Sequence, residues 1–143
     1  MTVHDMVGLL LILLSMFDCN VAEIRTFVAP EYPWMAHLAQ IQGEAVVKLT
    51  TDSDGRVTLV QEQTGHPLLL REAHTNSLQW AFAPGTPREQ VIVYEFKISG
   101  DPVTARPVPK ITADFCTGRV LILVPPIAPN IDVQKVTGKK PKR

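Results

Sequence analysis

The chain lacks the raw material of several function classes. Two cysteines among 143 residues are too few for a disulfide-built scaffold or a four-ligand zinc site. Aromatic residues make up only 6%. There is no excess charge of either sign, with 14 Lys and Arg against 14 Asp and Glu. That balance excludes a broadly basic nucleic-acid binder and a polyacidic tail protein. No glycine-rich phosphate loop is present. Ser53, Ser77 and Ser99 lack the glycine-flanked setting of a strained nucleophile, and no acids pair in an evident cleft. Four histidines occur, His4, His37, His66 and His74. Only the last two are close in sequence, and a spacing of eight makes a poor metal pair, so each reads as a surface or capping residue. Asp52 and Asp54 beside Gly55 lack the bidentate glutamate that completes a calcium loop. The expectation is a protein with no catalytic residues, no metal and no cofactor.

What is present is enough apolar material, 45% of the chain, for one folded domain. The longest apolar run is Met6 to Phe17, MVGLLLILLSMF. At 12 residues it falls short of the roughly 20 of a membrane-spanning helix and fits the about 7–15 of a signal-peptide core. Residues 1–22 therefore read as a signal peptide or short membrane anchor, with cleavage near Ala22 favoured. Cys116 is then alone and expected to be buried. The end of the chain holds Lys135, Lys139, Lys140, Lys142 and Arg143 without an acid, which reads as a disordered basic tail over 135–143.

Between these ends the pattern is α+β. Glu23 to Pro33 is irregular. Trp34 to Ile41 suits a short helix with Pro33 near its first turn. Glu44 to Thr51 and Arg56 to Gln63 alternate around Asp52-Ser53-Asp54-Gly55, a hairpin signal. Leu69, Ala73, Ser77 and Trp80 form one helical face over about 68–80, with Thr64 or His66 as cap and Pro67 in the first turn. Val91 to Ser99 alternates cleanly, with Ile92, Tyr94, Phe96 and Ile98 on the core side. Val103 to Pro109 is extended. Gly118 to Val124 is strand-like, and Pro125, Pro126 and Pro129 stop it. The expected divisions are a domain over 23–100, a proline-rich extension over 101–134 carrying that extra strand, and the tail.

The motifs from Val28 to Ile98 resemble the C-terminal domain of TonB, the energy transducer of the Gram-negative envelope. They are Tyr32-Pro33-x-x-Ala36, Ile41-x-Gly43, Val46-Val47, Asp54-Gly55-Arg56-Val57, Gly65-His66-Pro67-Leu68-Leu69, Ala73, Trp80-x-Phe82-x-Pro84 and Tyr94-x-Phe96. Tyr32, Pro33, Gly43, Gly55, Pro67, Trp80, Phe82 and Pro84 read as residues that define the fold. The resemblance implies a β-β-α-β unit with an antiparallel sheet, whose edge takes up a peptide of an outer-membrane transporter by β-augmentation. The matching edge is Val91 to Ser99, with Val91, Val93, Glu95 and Lys97 flanking the added peptide. If Gly118 to Val124 folds back onto that edge, the chain blocks its own site. The implied setting is the periplasm, either exported or anchored in the inner membrane facing the periplasm, with membrane contact through the N-terminal segment and no nucleic-acid partner. The alternatives are a shortened energy transducer for transmembrane transport and a self-associating structural module that forms a homodimer through the same edge.

Overall fold

A computed structural model of the chain describes Cys19 and residues 21–129. The element order is β1 (Ile24–Thr26), α1 (Trp34–Leu38), β2 (Gly43–Thr51), β3 (Val57–Thr64), α2 (Pro67–Ser77), β4 (Ala81–Phe82), β5 (Arg88–Ile98), β6 (Lys110–Asp114) and β7 (Arg119–Val124). Five strands form one sheet in the order β3-β2-β5-β7-β6, and β1 pairs with β4 in a small second sheet. The fold class is α+β, as the sequence pattern predicts. The apolar run and the basic tail both lie outside the described residues.

The β2–β3 hairpin forms where its turn residues demand it. The Asp52 side chain accepts from the backbone N–H of Asp54 at 2.9 Å and of Arg56 at 3.0 Å. Gly55 takes a φ of 83°, a region where a side chain is strained. Its carbonyl also accepts from Phe82 N–H at 2.8 Å, and a Cβ there would stand 1.9 Å from the Phe82 carbonyl oxygen. Gly55 thus serves both the turn and the docking of β4.

The helix α2 begins where His66 caps it. Its Nδ1 accepts from Leu68 N–H at 3.2 Å, and Pro67 fills the first turn, where no N–H is needed. Leu69, Ala73, Asn76 and Ser77 are its buried residues, and they meet β2 and β3. The helix stops at Ser77, so Trp80 reaches the core from the following turn and not from the helical face expected of it. Trp80, Phe82, Tyr94 and Phe96 are all buried. Tyr32 packs edge-on to Phe96 at 5.4 Å, which ties the segment before α1 to β5.

Polar residues of α2 are built into this core. Asn76 accepts from Trp80 Nε1 and from the Tyr94 hydroxyl, both at 2.9 Å, and donates to the Val28 carbonyl at 2.9 Å. Burial pushes the Tyr94 phenol far up, and it pushes the Tyr32 phenol up to about 12.

The antiparallel sheet expected of the unit is present in β3-β2-β5, and the added β7 runs parallel to β5. Two expectations need correction. The stretch before Pro33 is not wholly irregular, because β1 pairs there with β4. The segment before β7 holds a further strand, β6, antiparallel to it. Strands β6 and β7 both belong to the main sheet.

Candidate functional site: the sheet edges

The strand β5 is not an open edge from Val93 to Ile98. One side pairs with β2 from Arg88 to Phe96. The other pairs with β7, from Val93 opposite Arg119 to Ile98 opposite Val124. This corrects the assignment of Val91 to Ser99 as an open strand. The fold-back expected of Gly118 to Val124 is what occupies it. The occupation is deep, since Val120, Ile122 and Val124 are each at most 1% exposed. Burying three such side chains contributes on the order of 5–9 kcal/mol, which opposes displacement of β7.

Val91, Val93, Glu95 and Lys97 lie on the sheet face opposite the core, alternating with buried Gln90, Ile92, Tyr94 and Phe96. Their neighbours on that face come from β2 and β7. Arg119 on β7 bonds Glu44 on β2 at 2.6 Å, across β5. Lys48 and Glu89 pair at 3.3 Å. Both pairs are solvent-exposed for the most part and add little stability.

The terminal strands of the main sheet are β3 and β6. The start of β3 is flanked by a bridge between Arg56 and Ala81. At β6, Ile111 and Ala113 turn toward the core while Lys110, Thr112 and Asp114 are exposed. Among the described residues no strand pairs with the outer side of β6. The following turn is held by Asp114, whose carboxylate accepts from Cys116 N–H at 3.0 Å and Thr117 N–H at 3.2 Å. The Thr117 bond in particular holds the Asp114 carboxyl below the usual carboxylate range.

The residues expected to define the fold are placed as follows. Tyr32, Trp80 and Phe82 are buried, Gly55 and Pro67 act as described, and Gly43 opens β2 at a φ of 134°. Pro33 directly precedes α1, and Pro84 follows β4. His66 caps and His74 faces Glu62 at 3.3 Å. His37 departs from expectation: it is buried, with Nε2 2.7 Å from the Pro125 carbonyl oxygen. No group of three or more His, Cys, Asp or Glu could hold a metal among the described residues.

Cys116 is not alone. It forms a disulfide with Cys19. The even cysteine count was the available signal, but a cut near Ala22 removes Cys19 from consideration. Another arrangement without a sequence signal is Arg106, whose guanidinium sits 5.3 Å over the Trp34 ring and 4.0 Å from Glu31.

The family model of the Gram-negative bacterial TonB protein C-terminal matches residues 28–99, slightly more than half of the chain. The chain belongs to the TonB C-terminal family. It is similar to the solution NMR structure of Pseudomonas aeruginosa TonB CTD, at 28% identity over 55% of this chain and 87% of that one, with a TM-score of 0.49. No curated protein matches. The match ends at the close of β5, so β6, β7 and both cysteines lie outside the TonB C-terminal unit. The two strands that seal and extend the sheet are thus additions to it.

Proposed function

We propose that this TonB-like domain is an envelope protein-interaction module that binds a strand-forming peptide of an outer-membrane transport protein by β-augmentation. It works from the periplasmic side and carries out no catalysis. The carrying observation is the sheet order: β7 fills the outer side of β5 from Val93 to Ile98, and β6 is left as the terminal strand on that side. The peptide adds to Lys110–Asp114, where main-chain hydrogen bonds supply affinity and Lys110, Thr112 and Asp114 tune selectivity. A peptide that displaced β7 would compete with a strand held at high effective concentration by its own chain. Addition at β6 meets no such competitor.

The test is an amide-resolved NMR titration of the full chain with peptides from periplasm-facing segments of outer-membrane transporters. Shifts centred on Lys110–Asp114, with β5 and β7 amides still protected, are expected. Shifts centred on Val93–Ile98 with loss of protection in β7 would replace this reading by strand exchange. No binding by any peptide would contradict it.

A further inference from the structure

The segment around Ala22 is part of the folded body and not a dispensable junction. Val21 is 4% exposed and lies against the β6–β7 turn, where a Cβ on Gly118 would come within 2.6 Å of its Cγ2. The Ala22 N–H donates to Gln90 Oε1 at 2.6 Å, and Gln90 is itself 2% exposed. The Glu23 carbonyl accepts from Ala83 N–H at 2.7 Å, and Ile24 begins β1. Two residues before Val21, Cys19 is bonded to Cys116 across a separation of 97 residues. A cut after Ala22 would remove Val21 from beside Gly118, take the chain's amide from Gln90 and leave Cys116 as a thiol.

We infer that the working protein keeps Cys19, and that any leader is removed on its N-terminal side. The chain must then pass through an oxidising compartment. There the two thiols give up two protons and two electrons to a protein disulfide, which leaves as a dithiol. Only Asp18 separates Cys19 from the apolar run that ends at Phe17. If that run is retained in a membrane, the domain is held at the membrane surface with its β6–β7 turn beside the anchor. Extended chain reaches about 3.5 Å per residue, so the tether has almost no reach. The domain then meets only partner segments that come to that surface.

The experiment is peptide mapping of the full chain expressed in a Gram-negative host and recovered from its envelope fraction, with free thiols blocked before digestion. The expected result is a linked pair of peptides containing Cys19 and Cys116, and a mature N-terminus at or before Cys19. A mature chain starting at Glu23, or blocked thiols at both cysteines, overturns the inference. A Cys19→Ser variant gives a second reading: its Cys116 should become fully blockable and its melting temperature should fall. An unchanged melting temperature would count against the linkage. None of these readouts involves a binding partner, so they succeed or fail independently of the proposed peptide site.

Discussion

Asn76 answers for two buried groups and one half-buried group at once. Without it the Trp80 indole N–H and the Tyr94 hydroxyl lose their acceptor, and the Val28 carbonyl loses its donor. A buried polar group left unmet costs about 1–3 kcal/mol. Asn76→Leu is therefore expected to lower stability by roughly 2–4 kcal/mol in a urea melt, with Trp80 fluorescence reporting the same transition. Gly55→Ala should cost at least about 1–2 kcal/mol from its left-handed backbone alone, and more because the new Cβ meets the Phe82 carbonyl. Tyr32 carries a pH signature. Its ordinary value is 10.0 and burial raises it to about 12 in the folded state. Below pH 10 both states hold the proton and stability is independent of this group. Between 10 and 12 the unfolded chain releases the proton while the folded one keeps it, so stability falls as pH rises. Phenolate absorbance and equilibrium unfolding across that range should show the loss, which Tyr32→Phe should reduce.

At the scale of elements, the strand β7 decides whether the outer side of β5 is left unpaired. Its alternating burial predicts unequal costs along one strand. Ile122→Ala should destabilise by about 2–5 kcal/mol, whereas Leu121→Ala on the open face should cost only about 1 kcal/mol. Thermal melts of the two variants check this. The same strand marks the limit of what was legible. Asp52 to Gly55 announces a hairpin because its chemistry is local, and Ile92, Tyr94 and Phe96 announce a core face because period two is local. That Arg119–Val124 is extended is also readable. A return onto β5 is open to the sequence as a possibility, but its parallel direction and register are not readable, since pairing between segments joined through another strand is set by tertiary packing. Lys110–Asp114 offered still less, being five residues long and carrying only Ile111 and Ala113 as apolar alternation. The Val91, Val93, Glu95 and Lys97 side chains were legible as a face. Whether the backbone between them was free to pair was not.

For the whole molecule, the Cys19–Cys116 bond closes almost the entire described chain into one loop. Cross-links of that span typically stabilise a fold by about 2–5 kcal/mol, chiefly through the unfolded state in the chain-entropy account. Guanidinium unfolding with and without a dithiol reductant should differ by that amount. A TonB C-terminal unit completed by two further strands and a disulfide is a closed body. On the side of β5 that the added pair covers, the terminal strand is β6. The measurement that tests this most directly is amide hydrogen exchange on the oxidised full chain. The account predicts that Val93–Ile98 and Arg119–Val124 exchange only through global unfolding, while the outward-facing amides of Lys110–Asp114 exchange fast. Fast exchange on the β7-facing side of β5 would contradict it, because β7 would then not seal the strand it pairs with.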